Sequence, residues 1–121
     1  MKIYSSSSED LLGAKILTAD ATKTAILSIG TGSNTVTYVD AIVTAIYTAT
    51  GAYAVFAHFR AAFNNDGGVL TRIDYISDMY QEADAAFDVE IEESGTTIQL
   101  NVTGKAATAL RWSTTTLVHV G

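Results

Sequence analysis

From Ala85 to Val120 apolar and polar residues alternate one by one, and a chain with that rhythm can bury one side only as a pleated strand. Ala85, Phe87, Val89 and Ile91 fall on one face, with Ala86, Asp88, Glu90 and Glu92 on the other. Ser94-Gly95 follows, a pair that supplies the positive φ of a tight hairpin turn. The return strand sets Ile98, Leu100 and Val102 against Thr97, Gln99, Asn101 and Thr103. A second turn at Gly104-Lys105 leads to a longer strand, with Leu110, Trp112, Val118 and Val120 directed inward and Thr114-Thr115-Thr116 as β-branched filler. The expectation for this stretch is a meander of three antiparallel strands.

Upstream the same chemistry recurs less cleanly. Residues 1–13 are a compositional outlier, Ser5 to Ser8 followed by Glu9 and Asp10. Three readings compete: an extended arm anchored on a neighbouring subunit by Ile3 and Tyr4, a short helix capped by Ser8, and a frayed terminus. The arm is favoured, because the Ser run has little to bury. From Ala14 the pattern is β-like, through Ile16 and Leu17 and then Thr22 to Ile29, where Ala25, Leu27 and Ile29 share a face. Gly30 to Asn34 is a turn; it lacks the Lys and the following helix of a phosphate-cradling loop.

Thr35 to Thr50 has the spacing of a helical face at Tyr38, Ile42, Ala45, Ile46 and Ala49. Its density of Thr, Val, Ile and Tyr decides for a long strand, with a bend or bulge at Asp40. Tyr53 to Phe63 is the next strand, Asn64-Asn65-Asp66-Gly67-Gly68 the strongest turn, and Val69 to Ile76 the strand that returns. Ser77 to Asp84 reads as a polar connection, with Met79 and Tyr80 exposed or plugging an end. About eight strands without a helix indicate an all-β fold, an antiparallel β-sandwich of the jelly-roll or a related Greek-key kind, as one domain over residues 14–121.

A chain of 121 residues in one domain buries about two-thirds of its unfolded surface, enough for a core without staples. Without Cys there is no disulfide, thiolate metal site or Cys nucleophile, and without Pro the turns rely on Gly, Asn, Asp and Ser. The net charge of −6 and seven scattered Lys and Arg argue against nucleic acid and against an anionic membrane. No stretch approaches the ~20 apolar residues of a membrane span, and the opening residues lack a secretory core, so a soluble cytosolic product is expected.

Candidate chemistry is sparse. His58 and His119 read as unrelated surface or interface imidazoles, and no serine stands in a nucleophile elbow. Glu82, Asp84, Asp88, Glu90, Glu92 and Glu93 read as a solvated face and not as a calcium loop. Arg60 and Arg111 each call for a carboxylate partner, such as Asp74 or Asp88. Asn101-Val102-Thr103 matches a glycosylation acceptor by chance, since it falls mid-strand.

The series Phe87-Asp88-Val89, Ser94-Gly95, Val102-Thr103-Gly104 and Arg111-Trp112, with AHFRAAFNNDGGVLTRI upstream, resembles the C-terminal module of many tailed-phage virion proteins over roughly Thr35 to Val120. That resemblance implies a jelly-roll-like sandwich, often trimeric, found in capsid decoration (cement) proteins and in the heads of virion fibres. Phe87 stands where Trp is commoner in such modules. No long fibre shaft precedes the module, which moves the expectation from a fibre tip toward a freestanding decoration protein. The leading expectation is therefore a non-enzymatic virion protein on the capsid exterior, forming a homotrimer and binding the major capsid protein, with no cofactor. Assembly contacts are expected at Ile3, Tyr4, Phe56, Arg60 and Tyr80. The alternative is a receptor- or glycan-binding fibre or tail head, using Tyr53, Tyr80 or Trp112 against sugar rings. An enzyme is the weakest reading.

Overall fold

The computed structural model describes residues 8–121. Eight strands follow one another: β1 (Ser8–Thr18), β2 (Thr24–Gly30), β3 (Thr35–Tyr47), β4 (Tyr53–Asp66), β5 (Val69–Glu82), β6 (Asp88–Ser94), β7 (Thr97–Thr103) and β8 (Leu110–Val120). They form an antiparallel β-sandwich of a five-stranded sheet, ordered β1-β8-β3-β4-β5, on a three-stranded sheet, ordered β2-β7-β6. Within the larger sheet β3, β4 and β5 are consecutive hairpins and β8 returns to lie beside β3, which is the spatial order of a Greek key.

The expected three-stranded meander is half right. β6 and β7 pair through a turn at Gly95, whose φ is 61°, but β8 leaves them and crosses to the opposite sheet between β1 and β3. The reason lies in its inward set. Leu110, Trp112, Thr114, Thr116 and Val118 are all buried, and a strand needs hydrogen-bonded neighbours on both edges to hold so many in the dry layer. The indole N–H of Trp112 donates to Thr18 Oγ1 at 2.9 Å, and Thr114 Oγ1 donates to the Ile42 carbonyl, so these polar atoms are paired inside the core.

Ser8 to Gly13 belong to β1, in continuous register with β8 from Ser8 opposite Val120 to Thr18 opposite Leu110. The strand runs through the boundary expected at Gly13, and the Ser8-capped helix is not formed. Ile3 and Tyr4 lie outside the described residues. β3 is a strand, as its β-branched residues demand, with Thr37, Val39, Ala41, Val43 and Ala45 buried on one side. Its irregularity is not at Asp40, which pairs regularly with Arg60 and Leu117, but against β4 beyond Ala45, where Ala54 is the extra residue. Asp40 lies on the outer face and finds a hydrogen-bond partner there, so nothing forces the chain to bend. In β2 a bulge at Ile26 turns both Ile26 and Ile29 inward, displacing the expected Ala25, Leu27, Ile29 face.

β5 continues through Glu82, over most of the polar connection expected at Ser77 to Asp84. It pairs with all but the first two residues of β4 by absorbing two bulges, which leave Ile73 and Asp78 without direct partners. Each bulge reverses the alternation, and that hides the strand from a period-two reading. The hairpin before β5 closes on Gly67 and Gly68 at φ 60° and 95°, while Asn65 is buried, donating to Thr31 Oγ1 and accepting the Gly68 N–H.

Gly104 is packed against the same threonine that holds Trp112: a Cβ there would lie 2.8 Å from Thr18 Oγ1 and 2.9 Å from the Asp20 carbonyl oxygen. Gly104→Ala is therefore expected to cost about 1–3 kcal/mol in denaturant unfolding. Gly30→Ala, whose Cβ would enter open space, should shift the midpoint far less. Trp112→Phe, which removes the N–H and empties part of its site, should also cost about 1–3 kcal/mol in the same measurement.

Candidate functional site

The outer face of the five-stranded sheet carries a charged row across three strands. Asp40 on β3 and His58 on β4 are joined by a 2.8 Å hydrogen bond at His58 Nε2, and Arg60 on β4 grips Asp78 on β5 through two bonds of 2.9 and 3.0 Å. Asp78 reaches that face because it is the bulged residue, displaced from the ladder between Met79 and Ser77. The Arg60 guanidinium, by hydrogen bonding and then by charge, holds the Asp78 carboxyl below its ordinary range. The partner expected for Arg60 was Asp74 or Asp88. Asp78 replaces them because the bulge, invisible in the sequence, re-aims its side chain. Beside this row Tyr38, Arg60, Ala62, Asp74 and Ile76 line a small hollow of about 160 Å³.

A larger feature lies where the two sheets part. β5 and β6 are the last strands of their sheets on the same side, and between them runs an open groove of about 590 Å³. Thr71, Arg72 and Tyr75 form its β5 wall and Val89 to Glu93 its β6 wall. Arg72 ties the walls together: its backbone N–H donates to Glu93 Oε1 at 2.8 Å and its Nη1 to the Ile91 carbonyl at 3.3 Å. Its guanidinium also lies 5.0 Å from the centre of the Tyr75 ring, which leans on Phe59 with ring centres 6.1 Å apart. The groove thus offers an anchored aromatic, guanidinium donors and carboxylate acceptors.

The acidic residues do not converge on one point. Lys23 pairs with both Glu90 and Glu92, Lys105 with Asp84 at 2.7 Å, and Glu82 accepts the Tyr80 hydroxyl at 2.7 Å. Glu92 also accepts a bond from Asn101. Burial, then the neighbouring Glu90, pushes the Asp88 carboxyl up, while hydrogen bonds from Asp88 and Lys23 pull Glu90 down. Among the described residues no three His, Asp or Glu side chains gather closely enough to hold a metal ion.

The residues expected at contacts are dispersed. Phe56 and Arg60 share the outer face, both half-buried. Tyr80 lies opposite Ala57 on the other side of the sheet, its phenol acidity weakened by burial and by Glu82. Of the three aromatics expected to meet sugars, Tyr53 is exposed, Tyr80 is partly engaged by Glu82, and Trp112 is sealed in the core. Tyr75 and Arg72 went unnoticed because nothing in the sequence shows that β5 overhangs β6. His119 lies 3.9 Å from Glu9, remote from His58 along the sheet, and Arg111 is exposed.

No protein-family model matches the chain, and no curated protein sequence matches it. Solved structures align with it. A segment of the tailspike protein gp49 from Acinetobacter baumannii bacteriophage Fri1, a capsular polysaccharide depolymerase, aligns with TM-score 0.50 and 14% identity over 92% of this chain and 17% of that one. The Acinetobacter baumannii phage AM24 tailspike protein aligns with TM-score 0.47 and 14% identity over 93% of this chain and 26% of that one. The chain thus spans about a quarter or less of either tailspike, and what it shares with the Fri1 protein is a fold.

Proposed function

We propose that this chain is a non-enzymatic, glycan-binding virion module of a phage tail spike or fibre, taking up saccharide in the groove between β5 and β6. The observation that carries the reading is the groove itself: an aromatic ring held in place, a guanidinium and several carboxylates around about 590 Å³ of open space. That is the size class of a small-ligand site, and its mix of hydroxyl-binding groups with one apolar face suits a sugar. The likeness to a segment of a tailspike supports this reading over capsid decoration, the first expectation from the sequence. A major-capsid partner and a place on the shell draw nothing from that likeness.

Arg72 is the residue on which binding should depend most, because it orients Tyr75 and both walls at once. Against a panel of purified bacterial capsular polysaccharides and lipopolysaccharides, calorimetry should show saturable binding to at least one. Arg72→Ala and Tyr75→Ala should each weaken it by about tenfold or more, and Tyr53→Ala should not. Absence of binding across the panel would remove the glycan reading. Binding indifferent to Arg72 would move it away from the groove, and release of new reducing ends would show the module to be an enzyme.

A further inference from the structure

β5 sends side chains into two separate hollows, and one extra residue arranges both. Opposite Phe63 stands Arg72 and opposite Ala62 stands Asp74, so Ile73 between them has no partner. Residues directly opposite one another in a ladder share a face. Arg72 and Tyr75, opposite the buried Phe63 and Ala61, therefore turn toward the groove, while Asp74 and Ile76, opposite Ala62 and Arg60, turn to the outer face. Without the bulge Arg72 and Tyr75, three residues apart, would fall on opposite faces. Bulges that re-aim side chains in this way are over-represented next to functional sites. The outer hollow has a simple origin in the ladder. Tyr38, Ala62 and Asp74 lie side by side on β3, β4 and β5, and the short Ala62 between two larger neighbours leaves a space of about 160 Å³, which Arg60 and Ile76 close on one side.

We propose that this hollow is a second saccharide subsite, holding one neutral sugar unit of a glycan that passes over the free edge of β5 from the groove. Its volume lies below that of a drug-sized pocket, so it takes a single ring. The walls match the two characters of a pyranose. Tyr38, Ala62 and Ile76 offer apolar surface to its C–H face, and Asp74 and Arg60 address its hydroxyls. Asp74 is held in place because its Oδ1 accepts the Tyr75 N–H at 2.8 Å, and its other oxygen accepts no bond among the described residues. Arg60 is fixed by its two bonds to Asp78, and that pairing balances its charge, so Asp74 leaves the hollow with a negative surplus. An acidic sugar is disfavoured there. Among the described residues β5 pairs only with β4, so its other edge is open to a polymer, and the consecutive Asp74 and Tyr75 set the two sites back to back. A glycan spanning both gains avidity, because the second contact is made within one complex. That the ligand is a glycan rests on the reading of the groove.

The test is a titration of the isotope-labelled full chain with the methyl glycosides of glucose, galactose, mannose and N-acetylglucosamine, followed by amide NMR. At least one should shift the Arg60 and Ala62 amides saturably, with a dissociation constant on the order of millimolar, the weak affinity of a single ring in a shallow site. Methyl glucuronide should shift them less. Ala62→Leu, which fills the hollow, should weaken the response by at least about tenfold. Ala62→Ser should keep it, and an unchanged Trp112 indole N–H signal shows the fold intact in both variants. Arg72→Ala should abolish shifts at Ile91 and Glu93 in the groove and leave those at Arg60 and Ala62. Shifts confined to Ile91 and Glu93 would overturn the second subsite and keep the groove, whereas shifts confined to Arg60 and Ala62 would keep the subsite and count against the groove. Silence at Arg60 and Ala62 with all four glycosides, a response there that survives Ala62→Leu, or a stronger response to methyl glucuronide would each overturn the proposal.

Discussion

A tryptophan in the dry layer must find a partner for its one N–H, and here that partner is the last residue of β1. Thr18 accepts the bond from Trp112 at 2.9 Å while its own side chain lies against Gly104, at the point where the chain leaves β7. Three distant parts of the sequence therefore meet at one hydroxyl. If Trp112 faced water there would be no reason for β8 to cross between the sheets, and β1 and β8 would not lie side by side. β1 and β8 pair along their whole length because that crossing sets them there.

Sequence alternation was a dependable guide wherever a strand keeps one face to the core without interruption. β6, β7 and β8 were legible for that reason, with Phe87, Ile91, Ile98, Leu100, Leu110 and Trp112 all buried as their spacing implied. β3 was legible from composition, since Val, Ile and Thr prefer a pleated surface over a helix. The failures share one cause. A bulge inserts a residue and inverts everything after it, so the faces of β2 and β5 could not be assigned by counting. Which sheet a strand joins was equally hidden, because an inward face reads the same from either side of a sandwich.

The candidate site was less legible than the fold, for a related reason. Arg72 and Tyr75 are ordinary residues of a strand, and they gain meaning only because five strands cover three and leave β5 facing the edge of β6. Asp78 is the same kind of case: its carboxylate meets Arg60 because a bulge sends it there. By contrast Glu90, Glu92 and Glu93 of β6, conspicuous in the sequence, are answered by Lys23, Asn101 and the Arg72 backbone N–H. Conspicuousness in a sequence followed local density, whereas geometry followed the offset between the sheets.

The twice-bulged β5 also decides how such sheets can grow. A flat outermost strand is a template on which further chains can be laid without limit, and a protein with two such borders would be prone to fibres. In the larger sheet the β1 border is regular and the β5 border is kinked at Ile73 and Asp78, which spoils its spacing for an incoming backbone. At that border of the larger sheet lateral accretion is discouraged, so the irregularity that obscured β5 in the sequence also works against runaway polymerisation.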